Sequence, residues 1–293
     1  MNVEIRCASC LLHRGYLEIL ESTKDPTLQF KAMSAFIRLL AEEFKPKANP
    51  AYLGTKRDRL IREITGNPDP FKQRKQTSNK KALETLPLAK NFVLNETSPE
   101  KRFRKACLTA IVGNIMEFDI PDNPFKFTDL EKLIQEAEND LTIDEIPQIF
   151  DKTKKAKRIL YLTDNAGEIA FDTLLVEELK KLGAHVTVAV KSGPILNDAT
   201  MEDAKIVGMD KVADEVLTTG SDSVGLILNE CSDEFLNIYN SVDLVVAKGM
   251  GHAETLTELA LPVPHALLLR TKCCTVANHF NVDTGKNIAK ILF

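Results

Sequence analysis

The chain has 293 residues, of which 44% are hydrophobic and 27% charged, and its formal net charge is -4. This balance is typical of a soluble globular protein with a substantial core, and it provides no global basic field that would favour nucleic acid. No apolar run approaches the roughly 18 residues that a membrane helix needs, and the first ten residues lack the apolar segment of a signal peptide. We therefore expect a cytoplasmic protein that binds neither nucleic acid nor a membrane; its oligomeric state is left open.

The segment up to about residue 150 is predicted to be helical. Apolar residues recur at three- and four-residue spacing over Leu28–Phe44, after Asp25-Pro26, a pair that suits the start of a helix. The same pattern appears over Lys101–Phe118, and a shorter helix is predicted around Leu130–Ala137. No strand-like alternation of any length is found here. We predict an all-α helical domain over residues 1–152.

From residue 153 onward, short apolar runs alternate with helical patterns. Each run is rich in leucine or β-branched residues and ends at a polar or glycine-containing turn: Ile159–Leu162, His185–Lys191, Glu215–Gly220, Asp243–Gly249 and His265–Lys272. Such alternation predicts a parallel sheet covered by helices on both faces. The predicted fold class is α/β, a doubly wound, mainly parallel, Rossmann-like three-layer domain over residues 153–293, joined to the helical domain.

Polar side chains and glycines follow the predicted strands where the strands end. They are Asp164 and Asn165 after the first strand, Lys191 and Asp198 after the second, Ser221 and Asp222 after the third, Lys248, Gly249 and Gly251 after the fourth, and Arg270 and Lys272 after the fifth. The carboxyl ends of parallel strands meet at one edge, where ligands bind in this class of fold. Each residue alone is explained as a cap, turn or surface residue, but their joint position favours a functional site.

The acidic and amide residues of this set suit a metal ion. Asp164, Asn165 and Asp198 supply oxygen donors, which hard or borderline divalent metals prefer. A bound metal neutralises charge on a phosphoryl group and lowers the pKa of a bound water. The pairing of an acid with an amide would bind the metal while limiting the negative charge presented to an anionic substrate.

The lysine–glycine turn after the fourth strand is typical of phosphate binding. Lys248 supplies a point positive charge, and Gly249 and Gly251 let backbone N–H groups approach phosphate oxygens, with a helix expected after Gly251. Other motifs are missing: Ala166 stands where aspartyl-phosphate phosphatases carry a second acid, and there is no dinucleotide-binding glycine motif, P-loop or Gly-x-Ser-x-Gly elbow. These residues predict metal-assisted phosphoryl transfer.

Four segments, AIVGNIMEFD, TDNAGEIAFD, SGPILNDATMED and AKGMGHAET, resemble in their order the family once catalogued as domain of unknown function 89. Its members are described as metal-dependent damage-control phosphatases with an acidic residue methyltransferase-like fold. The resemblance covers nearly the whole chain and points to the small archaeal-type branch, which has an early Cys-x-x-Cys.

The resemblance implies a set of site residues and an activity. Asp164, Asn165 and Asp198 match the metal ligands, and Lys248 matches the phosphate-contacting lysine. The further substrate contacts that we expect are Asn114, Lys191, Gly249, Gly251, His252 and Glu254, where His252 replaces an expected asparagine. Family members hydrolyse sugar phosphates and other phosphorylated side-products of metabolism with cobalt, nickel, manganese or magnesium. The expected enzyme is therefore a phosphomonoester hydrolase in which Asp198 or Glu254 orients the attacking water, with no covalent phospho-enzyme.

The cysteines of the chain suggest a second, weaker site. Cys7 and Cys10, with His13, are spaced so that they supply part of a zinc site, which Cys273-Cys274 or His279 would complete. A redox pair and ordinary packing are alternatives.

Two other functions stay open at this point. An S-adenosylmethionine-dependent small-molecule or carboxyl methyltransferase would use the same doubly wound domain, although the first strand leads to Asp-Asn and not to a glycine-rich turn. A non-catalytic protein that binds phosphorylated metabolites would use the same polar edge.

Overall fold

The structure, a computed structural model, describes residues 1–113 and 130–293. Its helices are α1 (Cys7–Ser22), α2 (Pro26–Glu43), α3 (Pro50–Thr65), α4 (Lys72–Leu94), α5 (Pro99–Gly113), α6 (Leu130–Asn139), α7 (Ile146–Thr153), α8 (Glu168–Lys181), α9 (Met201–Val207), α10 (Met209–Val212), α11 (Asp233–Tyr239), α12 (Gly249–Leu256) and α13 (Cys274–His279). Its strands are β1 (Leu141–Asp144), β2 (Arg158–Leu162), β3 (His185–Val190), β4 (Glu215–Thr218), β5 (Leu244–Lys248), β6 (His265–Arg270) and β7 (Asn287–Leu292). Within these two ranges, none of the helices combines the length and the apolar character needed to cross a lipid bilayer.

Helices α2 and α3 each begin with a proline that directly follows a capping residue. The Asp25 carboxylate accepts a hydrogen bond from Thr27 N at 2.8 Å, and the Asn49 side chain accepts one from Ala51 N at 2.9 Å. In each case proline follows as the first helical residue, where its missing N–H costs nothing. The apolar faces of α1, α2 and α3 pack into two small clusters, one around Phe36 and one around Ile61.

The seven strands that the structure describes form one sheet in the order β1-β7-β6-β5-β2-β3-β4. All neighbours are parallel except β6 and β7, so the predicted mainly parallel α/β architecture is confirmed. The sequence predicted neither β1 nor β7, and the expectation of no strand before residue 150 was wrong. β1 has four residues that alternate between half-buried and exposed, and β7 is its neighbour in the sheet. The boundary between residues 152 and 153 stays a prediction.

Helices cover both faces of the sheet, as the alternation along β2 demonstrates. Ile159 and Tyr161 belong to a core shared with α4, α5 and α8, whereas Leu160 and Leu162 belong to a core shared with α11, α12 and α13. Successive side chains of a strand point to opposite faces, so the sheet is the middle of three layers. Helices α4 and α5, from the predicted helical domain, thus supply part of the main core.

The strand order reverses beside β2. From β2 the chain proceeds outward through β3 and β4 on one side, and β5 lies on the other side of β2, followed outward by β6. The carboxyl ends of β2 and β5 therefore flank the point where ligands bind in open parallel sheets. Asp164 and Lys248 come from these two ends.

Candidate active site

Two loops that carry predicted ligands are held together by backbone hydrogen bonds. Ala199 N donates to Asp164 O at 2.8 Å, and Ala166 N donates to Asn197 O at 2.9 Å. Asn165 and Asp198 consequently form an antiparallel bridge between the loop after β2 and the loop after β3. The structure therefore brings Asp164, Asn165 and Asp198 together, as expected from the sequence.

Local hydrogen bonds orient the Asn165 side chain. Its amide nitrogen donates to Asp164 Oδ2 at 2.8 Å and to Glu168 Oε2 at 3.0 Å. A primary amide has two N–H donors, so both are used. The carbonyl oxygen Oδ1 is thus the atom of Asn165 that suits a cation.

Asp198 is buried and Asp164 half-buried, and both lie among other acidic side chains. Burial raises the pKa of Asp164 well above its ordinary value, as do Glu168 and Asp198, while Lys272 and Lys248 oppose the change. Burial likewise raises the pKa of Asp198 to about 6, with Lys191 acting in the opposite direction. Carboxylates that repel one another in a desolvated site are stabilised by a cation, so the electrostatics fit a divalent metal.

The donor set is two carboxylates and an amide oxygen, all hard ligands that suit a divalent metal with open positions. It includes no third acidic, histidine or cysteine ligand: over residues 1–113 and 130–293, no group of three such side chains is arranged to hold an ion.

The cysteine motif does not make such a group either. The Cys7 thiol is buried 3.2 Å from Thr275 Oγ1 and Cys10 is exposed, which favours packing for Cys7.

Lys248 is the last residue of β5 and is fully buried. Its ammonium group donates to Glu168 Oε1, to Asp172 Oδ1 at 2.8 Å and to Ala110 O at 2.9 Å. Burial alone lowers the pKa of Lys248, but Asp172 and Glu168 together outweigh it, so the pKa is raised and the side chain stays charged. All three N–H donors of the ammonium have partners. The expected contact with a substrate phosphate stays a prediction.

Gly249 fits against the carboxylate of Asp164 with no room for a side chain. Its φ is +80°, and a Cβ atom there would lie 2.0 Å from Asp164 Oδ2. Helix α12 begins at this residue, whereas the sequence predicted a start after Gly251. Gly251 instead packs against the backbone of Gly225.

We expect the Gly249→Ala variant to lose at least about 100-fold in turnover, because its Cβ must displace Asp164 and small misplacements in a site cost that much. Gly66→Ala is the matched control, since Gly66 has a φ of +69° but open space around its would-be Cβ. That control should lose only about 1–2 kcal/mol of stability from the left-handed backbone. Phosphate release and thermal unfolding of both variants make the comparison; equal activities would contradict it.

Three further residues that we expect to contact the substrate are Lys191, His252 and Glu254. Lys191 is buried, its Nζ donates to Gly225 O at 2.5 Å, and it lies 3.7 Å from Asp198 Oδ2. His252 is buried with Nδ1 donating to Lys248 O at 2.7 Å, and burial lowers the pKa of His252 to about 3, so the ring is neutral. Burial raises the pKa of Glu254 to about 7, against the effect of Arg14 and Arg57. The charge that most strongly opposes this change is the N-terminal amine of Met1, ahead of Arg14 and Arg57. The substrate contacts of all three stay predictions.

Some predicted residues lie apart from this cluster or beyond the described residues. Asp222, after β4, pairs with Arg59 and Arg62 of α3. Arg270, after β6, pairs with Asp140 at 3.2 Å and contacts the Asn287 side chain. Asn114 lies outside the residues that the structure describes.

Several residues that sequence reasoning did not assign support the site. Glu168 and Asp172 lie one helical turn apart on α8, and both bind Lys248; their spacing in the DNAGEIAFD segment was the available signal. Asn79 of α4 is fully buried, accepts from Gly167 N at 2.7 Å and donates to Asp203 Oδ1 at 2.7 Å. It therefore links the two acidic loops across long sequence separations that carry no local pattern.

Comparisons with known proteins give matches over nearly the whole chain. A family model described as the damage-control phosphatase ARMT1-like domain matches residues 3–288. The chain is 37% identical to a damage-control phosphatase of Archaeoglobus fulgidus over 100% of both chains, and 39% identical to the uncharacterized protein MJ0202 of Methanocaldococcus jannaschii over 98% of this chain and 95% of that one.

A solved structure extends the similarity to three dimensions. The crystal structure of a DUF89 family protein, PH1575 of Pyrococcus horikoshii, matches with a TM-score of 0.88 and 34% identity, covering 99% of this chain and 98% of that one. The curated sequence of PH1575 carries the name damage-control phosphatase. A full-length family match and full-length relatives above 30% identity lead to one conclusion: the chain belongs to the ARMT1-like damage-control phosphatase family.

Proposed function

We propose that the protein is a metal-dependent phosphomonoester hydrolase that acts on small phosphorylated metabolites, either sugar phosphates or damaged and side-product phosphates. The observation that carries the proposal is the pairing of Asp164 and Asp198 at the reversal of strand order, with the Asn165 carbonyl oxygen beside them. Relatives named damage-control phosphatases, similar over the whole chain, support the phosphatase activity.

Asp164, Asn165 and Asp198 would hold a divalent cation such as cobalt, nickel, manganese or magnesium. The chemistry that such a cation supplies is neutralisation of phosphoryl charge and activation of a water. The raised pKa of both aspartates supports this assignment, because each carboxylate gains from a nearby positive charge. We assign no covalent phospho-enzyme to the reaction, because Ala166 stands where aspartyl-phosphate phosphatases carry their second acid.

The chain's own residues bind and orient the substrate. Lys272 lies close enough to lower the pKa of Asp164, and Lys191 does the same for Asp198; positive charges at these two positions would attract a phosphate. Of the two candidates for orienting a water, Asp198 lies in the acidic cluster, whereas Glu254 faces the N-terminal amine, Arg14 and Arg57. We therefore assign the orientation of the attacking water to Asp198.

The alternatives predict different measurements. A methyltransferase would bind S-adenosylmethionine, and calorimetry would detect that binding; the comparisons give this alternative no support. A non-catalytic binding protein would take up phosphorylated metabolites without metal-stimulated turnover.

The proposal is tested by phosphate release from an aryl phosphate and a panel of sugar phosphates and nucleotides. Metal-stripped protein is assayed alone and with each divalent cation restored in turn. We expect no release without metal and turnover with at least one of cobalt, nickel, manganese or magnesium. Folded protein that releases no phosphate with any metal would overturn the proposal in favour of a binding protein or a transferase.

A further inference from the structure

The turn that presents Asp198 contains a residue in an unfavourable backbone conformation. Leu196 has a φ of +47°, in the left-handed region that non-glycine residues rarely adopt. Asp198 N closes the turn by donating to Ile195 O at 3.0 Å. A left-handed leucine is unfavourable and persists only where its surroundings enforce it. The surroundings of Leu196 therefore determine where Asp198 points.

A carboxylate from the N-terminal half holds this turn. Leu196 N donates to Asp58 Oδ2 at 3.2 Å, and Asp58 is fully buried on α3. Its other oxygen, Oδ1, accepts from Arg62 Nε at 2.6 Å. A backbone hydrogen bond to a charged acceptor is stronger than one between neutral groups. The ion pair with Arg62 fixes the direction of the Asp58 carboxylate.

The same helix also holds the neighbouring loop. Arg62 Nη2 donates to Asp222 Oδ2 at 2.6 Å, and Thr55 Oγ1 accepts from Val224 N at 2.9 Å. That loop continues to Gly225, whose carbonyl oxygen binds Lys191. Helix α3 thus touches both loops that border the acidic pair from the β3 and β4 side.

We propose that Asp58 is a positioning residue for the site: it holds Leu196 in the left-handed conformation and thereby directs Asp198 toward Asp164. Asp58 makes no hydrogen bond to either predicted ligand side chain, but its negative charge also lies near Asp198. The double variant described below separates that electrostatic effect from the hold on the turn. The consequence for catalysis rests on the proposed function, because it requires Asp198 to act there.

The test combines Asp58→Ala with Leu196→Gly. Glycine adopts a positive φ without the Cβ penalty, so Leu196→Gly should make the hydrogen bond from Asp58 dispensable. We expect Asp58→Ala to weaken Mn²⁺ binding, measured by calorimetry, and turnover by about 10- to 100-fold, as for outer groups that orient a metal ligand. Leu196→Gly alone should keep Mn²⁺ affinity and turnover within about threefold of the unaltered protein. The double variant should exceed Asp58→Ala in both quantities by about tenfold or more.

Asp243→Ala is the matched control. Asp243 also accepts backbone N–H groups, from Lys157 at 2.8 Å and Arg158 at 2.9 Å, but at the opposite end of β2. It should leave Mn²⁺ binding unchanged. If Asp58→Ala does not fold, Asp58→Leu replaces it in the same comparison, because leucine has a similar shape but cannot accept from Leu196 N.

The backbone conformation of residue 196 can be measured independently of activity, and it separates the positioning role of Asp58 from the proposed phosphatase function. The φ of residue 196, from backbone chemical shifts or a crystal structure, should leave the left-handed region in Asp58→Ala and remain there in the double variant. A φ that stays positive in Asp58→Ala, or a double variant no better than Asp58→Ala, would overturn the positioning role. If φ changes as expected but the unaltered protein neither binds Mn²⁺ nor releases phosphate, the proposed function fails and the account of the turn stands.

Discussion

Replacement of Asp164 by alanine is expected to abolish metal-dependent phosphate release while leaving the metal-free protein at least as stable as before. Asp164 lies at the end of β2, beside Asp198 and Glu168, and burial together with these two acids raises its pKa. Removing the carboxylate relieves that repulsion in the absence of metal. With metal, a ligand is lost, so the fall in turnover should exceed the about 10- to 100-fold typical of groups that only support a ligand.

The measurement pairs metal-titrated phosphate release with thermal unfolding in a chelator. Asp151→Ala is the control, because Asp151 forms an exposed ion pair with Lys154 far from the acidic loops; it should change neither quantity. Asp164→Asn, which keeps the shape but removes the charge, should weaken metal binding less than alanine does. Turnover of Asp164→Ala within tenfold of the unaltered protein would remove Asp164 from the site.

Replacement of Lys248 by methionine is expected to destabilise the protein by about 3–5 kcal/mol, the range for breaking a buried ion pair from one side. Lys248 is fully buried between Glu168 and Asp172 and also donates to Ala110 O. Methionine matches its length but leaves two buried carboxylates without their cation. Asp172 is particularly sensitive to the loss of this cation, since burial already raises the pKa of Asp172 to about 6.

Denaturant unfolding of Lys248→Met and of Lys154→Met makes the comparison. Lys154 pairs with Asp151 on the exposed surface, where an ion pair contributes about 0–1 kcal/mol. Equal losses in the two variants would show that Lys248 is not a structural cation. A stable Lys248→Met protein with a raised KM would instead support the predicted phosphate contact.

Sequence patterns predicted the central strands well because those strands are locally distinctive. β2, β3 and β5 are buried apolar runs followed by polar turns, and their exits placed Asp164, Asp198 and Lys248 at one edge before any contact was known. β1 escaped prediction because a four-residue edge strand has too few residues for a period to emerge.

The contacts that support the site were not predicted from the sequence, for a different reason. Asn79 reaches Gly167 across 88 residues, and Lys248 reaches Ala110 across 138. Such partners are set by packing of helices on the sheet and leave no spacing signal in the sequence. Likewise, Gly249 was assigned to phosphate approach, whereas in the structure it is the carboxylate of Asp164 that occupies the space of the missing side chain.

The position of β7 has a consequence for the order in which the chain folds. β7 comes after every other described strand in the sequence, yet it lies inside the sheet, between β1 and β6. On the ribosome, β1 therefore has no neighbour to pair with until residue 292 has been synthesised. Pairing over such separations is slow because loop closure precedes any gain from contact. The β1 edge of the sheet is thus completed late in folding, and β1 stays an unpaired strand until β7 is in place.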